Sequence, residues 1–328
     1  MPSTTINSRG FTLVEAIAVI VITGIIAGVV AIFIAKPVQG YVDSVRRAAM
    51  SDLADTTLRR IGRDVRTAVP NSVRVAGTCS GSTNCFVEYI PTRDGVRYKV
   101  EQIAGVGDIL DFSLASDASF DVFGNGALAV SASDYLVIFN TNQCSAANCP
   151  GSASCSTRGA QAYEGCNRRT ITGTTASAGN TSNIAFTATA YPLPFDSPGH
   201  RVHIVPGPNS GISNGPVSYA CEAPTAAETA NGVQGPLVLH RYTGYNTGSV
   251  PWTGTGLDAG TQPILFTGPP NTLAAAGGVL MADSISACTF TYSPGVTQRS
   301  GLISLWLTLT RSGESVTLYH ETHVDNQP

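Results

Sequence analysis

A run of twenty residues without a charged side chain, residues 16–35, constrains this chain of 328 residues more than any other feature. A helix rises about 1.5 Å per residue, so a run of this length spans roughly 30 Å, the thickness of the hydrocarbon core of a bilayer. The run is apolar on every side, whereas a surface helix of a globular protein has a polar face. It therefore predicts a transmembrane helix. Gly24 and Gly28 form a GxxxG pattern, which lets a second helix approach closely.

The helical pattern continues beyond this run, but with apolar residues on one side only. These residues recur at steps of three, four or eight: Val42, Val45, Ala49, Leu53, Ile61, Val65 and Ala68. Two i,i+4 ion pairs are expected on the solvated faces, Asp43–Arg47 and Asp55–Arg59. Pro70 marks the end of the pattern. We expect one helix of about 55 residues, with Pro37 as the position where it can bend. Its residues 11–35 would cross the membrane, and its residues 36–70 would be amphipathic.

Charge is sparse and unevenly distributed. Only 12% of the residues are charged, about half the proportion of a typical soluble domain. Residues 36–74 contain eight Lys or Arg against four Asp, whereas residues 75–328 contain ten against 17 acidic residues. An acidic body is poorly suited to electrostatic attraction of a phosphate backbone, so we expect no nucleic-acid partner.

An acidic residue, Glu15, lies at the edge of the apolar run. A carboxylate next to hydrocarbon is costly and normally implies a partner, although at the level of the headgroups it could simply be solvated. It ends a segment of six residues, Gly10-Phe11-Thr12-Leu13-Val14-Glu15. Followed at once by the apolar run, this segment resembles the N-terminal processing motif of type IV pilins and type II secretion pseudopilins.

The resemblance implies a processing pathway and a set of partners. Residues 1–10 would be a leader peptide, which a prepilin peptidase removes by cutting after Gly10 and methylating the new N-terminus at Phe11. The amine of Phe11 would pair with Glu15 of a neighbouring subunit and set the axial register of a filament, because two paired charges in a dry core cost less than either alone. The expected partners are prepilin peptidase, other major and minor pilins, and inner-membrane lipid before assembly.

The same resemblance places the chain in the inner membrane as a single-pass protein with its head in the periplasm, and later in a pilus or pseudopilus. The flanking charges argue for the opposite orientation. Only Arg9 and the amino terminus precede the run, whereas Lys36, Arg46 and Arg47 follow it. The processing motif and the cysteines outweigh this argument.

Beyond residue 70 the pattern changes to short β-type runs separated by Gly, Pro, Asn and Ser. The predicted strands are residues 86–90, 96–102, 134–139, 184–190, 202–205, 217–221, 237–242, 285–292, 302–310 and 315–324. The last two form a hairpin around a turn at residues 311–314. Strands of this type after a long N-terminal helix predict an α+β fold, in which residues 71–328 form an antiparallel β-rich head packed on the amphipathic half of the helix. The N-terminal resemblance implies that this fold is pilin-like.

The chain has eight cysteines, an even number that fits disulfides formed in an oxidising periplasm. They are Cys79, Cys85, Cys144, Cys149, Cys155, Cys166, Cys221 and Cys288. Sequence leaves their connectivity open, although nearness to strand edges favours Cys79–Cys85 and Cys221–Cys288. Residues 140–182 are rich in small polar residues, and we expect a cysteine-containing insertion there, either stapled by disulfides or forming a mobile surface excursion. The cysteine spacing lacks the CxxC pattern of a zinc site.

No constellation of residues predicts catalysis, so we expect neither an enzyme nor a cofactor. Residues 211–215 match GxSxG, but no helical pattern follows, as a nucleophile elbow requires. Asp117, Asp121 and Asn125 offer oxygen atoms that suit calcium, but without the spacing of an EF-hand.

Short segments of the head resemble the minor pilins of MSHA-type pilus biogenesis, which take part in initiating or capping a pilus. These segments are residues 195–201, 215–221, 240–242, 288–292 and 323–326. A minor pseudopilin of type II secretion is the alternative within the same class, since it shares the N-terminal motif. An alternative of another class is a surface adhesion module, in which residues 140–182 contact a surface, a sugar or DNA.

Overall fold

The computed structural model describes residues 11–77, 85–102, 105–124, 128, 130–141, 160–163, 165–177, 181–207, 215–243, 278–294 and 300–328. The chain divides into two compact units, residues 1–50 and residues 51–328. The long helix α1 (Leu13–Val65) contains the boundary between them. The second unit holds the β-rich head.

Helix α1 is continuous over 53 residues and includes Pro37, which confirms the single long helix that the sequence predicts. It ends at Val65, five residues before Pro70. The predicted pair between Asp55 and Arg59 forms, with an N···O distance of 2.7 Å. Asp43 pairs with Arg46 at 3.1 Å.

The buried face of α1 agrees with the predicted one only toward the end of the helix. Val42, Val45 and Ala49 are exposed, and Leu53 is only half-buried. Within the second unit the buried apolar residues of α1 are Ala54, Leu58, Ile61 and Val65, whose spacing of four, three and four residues is that of one helix face. The prediction is confirmed at Ile61 and Val65, and at Ala68 just beyond the helix. It is wrong at Leu53, because the neighbouring Ala54, about 100° away around the helix, is the residue that packs inward.

The head is built from thirteen strands and one short helix among the described residues. In chain order these are β1 (Arg74–Gly77), β2 (Cys85–Tyr89), β3 (Asp94–Arg97), β4 (Ser119–Phe123), β5 (Tyr135–Ile138), β6 (Arg168–Ser177), β7 (Thr181–Phe186), β8 (Arg201–Val205), β9 (Val217–Glu222), α2 (Ala226–Ala230), β10 (Leu237–Tyr242), β11 (Val279–Ser293), β12 (Ser300–Arg311) and β13 (Glu314–Asp325).

Seven of the strands form one antiparallel sheet, in the order β1-β2-β9-β10-β11-β12-β13. Ile303, Leu305, Leu307 and Leu309 on β12 are buried, and Trp306 between them is exposed. This alternation is the period of two that a sheet with one buried face imposes. The end of α1 contacts the sheet through side chains: Tyr219 donates a hydrogen bond to Asp64 at 2.6 Å, and Arg66 donates one to Thr322 at 2.7 Å.

The other six strands form a second antiparallel sheet, in the order β3-β8-β5-β6-β7-β4. Its two edges meet, because Tyr98, directly after β3, bridges to Val122 on β4. The backbone N–H of Lys99 also donates to the carbonyl of Asp121 at 2.8 Å. The sheet therefore curls round on itself and encloses an apolar core that includes Tyr98, Phe120, Leu136, Ile184 and Ile204.

A buried ion pair links strands β1 and β2. Arg74 and Glu88 are cross-strand partners whose side chains approach to 2.6 Å, and their exposed fractions are 6% and 0%. Ser218 on β9 donates to the second oxygen of Glu88 at 3.1 Å. The Arg74 guanidinium lies 3.5 Å from the ring centre of Tyr163. These contacts compensate two charges for the loss of water.

The structure confirms the predicted α+β arrangement of a long apolar N-terminal helix and antiparallel sheets. The hairpin of β12 and β13 is regular over twelve residue pairs, from Ser300–Asp325 to Arg311–Glu314. Two predicted strands are misplaced: residues 96–102 correspond to β3, which ends at Arg97, and residues 184–190 correspond to β7, which ends at Phe186.

Strands β1, β4 and β6 were not predicted. Their sequences carry charged or small residues that rarely mark a strand, such as Asp121 in β4 and the Arg168–Arg169 pair in β6. Strand β6 lies within residues 140–182, so part of the expected insertion is a strand of the six-stranded sheet.

Candidate functional site

The N-terminal end of α1 is capped by Thr12. Its Oγ1 accepts a hydrogen bond from the backbone N–H of Glu15 at 3.3 Å, and its carbonyl accepts one from Ala16 at 3.1 Å. The first N–H groups of a helix have no partner within the helix, so a threonine in this position stabilises the first turn. The Thr-x-x-Glu spacing is the sequence signature of a capping box, and it could have identified Thr12 from the sequence alone.

Glu15 is the third residue of α1, where the helix dipole favours a negative charge. Its side chain is exposed. The carboxylate is therefore open to a group from outside its own chain.

Large apolar side chains cover the first part of α1 and face outward. The exposed fractions of Phe11, Leu13 and Phe33 are 69%, 77% and 76%. A Cβ added at Gly24 or Gly28 would meet no atom within 4 Å, so this small-residue strip is open as well. Among the described residues, α1 is the one helix that is long and apolar enough to cross a membrane, and none of its most apolar window is buried. An apolar surface of this size needs a cover of lipid or of other helices.

The residues predicted for processing and pairing lie at this end of the chain. Phe11 and Glu15 are both exposed and are four residues apart. Gly10 lies outside the described residues. The processing and pairing roles of the three remain predictions.

The cysteine positions are partly described. Cys221 on β9 and Cys288 on β11 form a disulfide, with Cα atoms 6.7 Å apart, and this is one of the two pairs favoured by the sequence. Cys85 and Cys166 are also disulfide-bonded. Cys79, Cys144, Cys149 and Cys155 lie outside the described residues.

The candidate calcium oxygens have other partners. Asp121 accepts hydrogen bonds from Asn183 at 3.1 Å and from Ser177 at 3.0 Å, and it pairs with Lys99 at 3.5 Å. Over the described parts of the chain, no group of three or more His, Cys, Asp and Glu side chains is placed to hold a metal ion. Asn125 and most of the GxSxG segment lie outside the described residues.

A buried histidine that the sequence analysis missed joins three elements of the head. His240 on β10 contacts Glu222 on β9 through Nδ1 at 2.8 Å and Glu228 on α2 through Nε2 at 2.6 Å. Burial lowers the pKa of His240, but the hydrogen bonds and charges of the two carboxylates outweigh it, so the pKa lies above its ordinary value. The Thr225-x-x-Glu228 capping box was the available sequence signal for α2.

Comparison with known protein families gives a match at the N-terminal end of the chain. Residues 6–31 match the prokaryotic N-terminal methylation motif, which is type IV pilin-like and contains Gly10, Phe11 and Glu15. The motif implies processing by prepilin peptidase and assembly with other pilins. Together with the long apolar helix it indicates membrane anchoring. No protein of curated function and no solved structure shows significant similarity to the chain.

Proposed function

We propose that the chain is a minor pilin of an MSHA-type pilus, comparable to MshO, with a structural rather than an enzymatic role. The observation that carries the proposal is the combination of the methylation motif with an apolar helix whose most apolar window is entirely unburied. A helix of this kind is stable in a bilayer before assembly and among other such helices afterwards.

Processing would prepare the helix to leave the bilayer and to pack among the helices of other subunits. Cleavage after Gly10 gives Phe11 a cationic amine, and Glu15 of a neighbouring subunit offers the matching anion. The exposure of both residues supports a contact between chains. Because an unpaired charge in an apolar core is far more costly than a paired one, the pair would fix the axial position of each subunit.

The head would lie in the periplasm. The disulfide between Cys221 and Cys288, together with the bonded Cys85 and Cys166, supports an oxidising compartment. The segments at residues 195–201 and 323–326 support the MSHA-type assignment within the pilin class.

The proposal is tested by the fraction in which the protein is found in piliated cells and by the proteins that co-purify with it. An epitope-tagged chain should leave the membrane with filaments that are sheared from the cells, and it should co-purify with other minor pilins. A tagged chain that stays in the membrane of piliated cells would contradict a pilin role. Co-purification with pseudopilins alone would contradict the pilus assignment and place the chain in type II secretion.

A further inference from the structure

A pocket at the edge of the six-stranded sheet has no part in the assembly proposed above. Its volume is about 630 Å³, within the range of sites that hold small molecules. One wall is the segment of residues 198–201, and the opposite wall includes residues 326–328. The first wall lies within the segment of residues 195–201 that the sequence analysis singled out. The second wall begins at the end of the other segment, residues 323–326, and continues to residue 328.

Two arginines line this pocket side by side. Arg97 on β3 and Arg201 on β8 are direct partners in the antiparallel pairing, and both are exposed. Like charges directly opposite each other on a sheet repel. Arg97 donates through Nε to the carbonyl of Gly199 at 3.1 Å, and no carboxylate among the described residues pairs with either guanidinium. The two guanidiniums therefore offer a positively charged site to an anionic ligand, beside the backbone oxygen of Pro328, which accepts a hydrogen bond from Ser197 Oγ at 3.1 Å.

The loop that presents Arg201 is held in place. The buried hydroxyl of Tyr98 donates a hydrogen bond to Asp196 and accepts one from the backbone N–H of Ser197 at 2.9 Å. Ser197 Oγ in turn accepts a hydrogen bond from the backbone N–H of Arg201 at 3.3 Å. A loop fixed in this way loses little entropy when a ligand binds.

Backbone strain is concentrated around the same pocket. Asn71 and Phe139, which line it, have φ angles of 58° and 52°. His200, between the lining residues Gly199 and Arg201, has a φ of 50°. Among the described residues only six other than glycine have positive φ, so half of them are found here. Left-handed backbone at residues other than glycine is costly and tends to mark ligand sites.

The remaining lining offers both apolar and polar groups to a ligand. Phe139 and Pro198 offer an apolar surface to a ring, and the side chains of Thr141 and Gln327 make no hydrogen bond to any described residue. The carboxylate of a protein side chain would fill only a small part of 630 Å³. We propose that the pocket binds an acidic monosaccharide of the hexuronate class, whose carboxylate lies between Arg97 and Arg201. This inference does not depend on the pilin assignment.

Binding is measured with the full chain in a non-ionic detergent by isothermal titration calorimetry. Glucuronate is the probe, glucose is the ring without the charge, and inorganic phosphate is the charge without the ring. We expect glucuronate to bind at least tenfold more tightly than either of the other two. Arg97→Gln and Arg201→Gln should each weaken glucuronate binding at least tenfold. Arg311→Gln, an arginine on β12 outside the pocket, is the matched control and should leave binding unchanged.

A second measurement needs no substitution. The pKa of His203 is lowered to about 4, first by burial and then by the charge of Arg201, while Asp325 acts in the opposite direction. A carboxylate bound at Arg201 should therefore shift the NMR titration of His203 upward, and glucose should not. The proposal is overturned if glucuronate fails to bind, if glucose or phosphate binds equally well, or if an acidic peptide binds more tightly than glucuronate in a manner that depends on Arg201.

Discussion

The backbone N–H of Glu15 donates a hydrogen bond to Thr12 Oγ1 at 3.3 Å, so the residue proposed to pair with a neighbouring subunit lies in the capped first turn of α1. The cap fixes where the helix begins, and with it the position of the carboxylate relative to Phe11. Sequence position and local geometry thus agree that this acidic residue is presented at the end of the helix rather than in its apolar interior.

Replacement of Glu15 should impair assembly without unfolding the head. In Glu15→Ala the amine of a neighbouring Phe11 would lose its partner in an apolar core, so we expect at least a tenfold lower amount of protein in sheared filaments. Asp52→Ala, which removes another exposed acidic residue of α1, is the matched control and should assemble normally. Quantitative immunoblotting of filament and membrane fractions measures the ratio. Equal incorporation of Glu15→Ala would show that the carboxylate is a bystander.

Removal of the cap should have a smaller effect. Thr12→Ala leaves the N–H of Glu15 without its hydrogen bond, a loss of about 1 kcal/mol. Thr12→Ser keeps the hydroxyl and should behave as wild type. The same fractionation should rank incorporation as wild type, Thr12→Ser, Thr12→Ala and Glu15→Ala. A defect in Thr12→Ala as large as that of Glu15→Ala would show that helix capping, rather than the charge, controls assembly.

The head should lose stability as the pH rises above neutrality. Since the pKa of His240 is raised in the folded protein, its contribution is fully present below about 6.5, the ordinary pKa of histidine, and is lost as the pH rises through the folded-state value. The groups that face it are Glu222, Glu228 and Tyr242. Thermal unfolding between pH 6 and pH 9 should show a falling melting temperature, and His240→Gln should abolish most of this fall. His323→Gln, an exposed histidine, is the control. An identical fall of the melting temperature in His240→Gln would show that His240 is not the group responsible for the pH dependence.

The buried pair between Arg74 and Glu88 should be sensitive to the loss of one partner. Glu88→Ala removes the carboxylate that pairs with the buried Arg74 guanidinium, at a cost of about 3–5 kcal/mol in the free energy of unfolding. The double variant Arg74→Met with Glu88→Leu removes both charges and should be less destabilised than Glu88→Ala alone. Urea unfolding compares the two. A double variant that is less stable than the single one would show that packing, rather than charge burial, dominates at this position.

The disulfide between Cys221 and Cys288 joins residues 67 positions apart. Restriction of the unfolded chain by a loop of this length predicts a stabilisation of roughly 4 kcal/mol, at the upper end of the range that is typical of disulfides. The double variant Cys221→Ala with Cys288→Ala should unfold at a correspondingly lower urea concentration. Equal stability with and without this bond would contradict the prediction.

The fold was predictable where one pattern dominated. The apolar run pointed to a helix and the strict alternation in β12 to a strand, and the helix and the strand were confirmed. The buried face of α1 was predicted at Ile61 and Val65 but not farther up the helix, because Leu53 and Ala54 are both apolar and the sequence does not distinguish between them. Strand β6 was missed because Arg168 and Arg169 are buried only by contacts that form in the folded head, such as the hydrogen bonds from Arg169 to the carbonyls of Cys166 and Tyr191.

The candidate sites were also predictable from the sequence only where their residues are close together in the chain. The processing segment is local, so its six residues could be recognised in the sequence. By contrast, Arg97 and Arg201 are more than a hundred residues apart and become neighbours only through the pairing of β3 with β8. His240, Glu222 and Glu228 are likewise brought together by the pairing of β9 with β10 and by the capped turn of α2. Contacts of this kind depend on strand register, which single-sequence patterns do not specify.

The central claim is tested most directly by the mass of the mature N-terminus. The protein is isolated from cells with an active prepilin peptidase, digested, and analysed by tandem mass spectrometry. The account predicts an N-terminal peptide that begins at Phe11 and carries one methyl group on its α-amine. A peptide that begins at Met1, or at any residue other than Phe11, would contradict it.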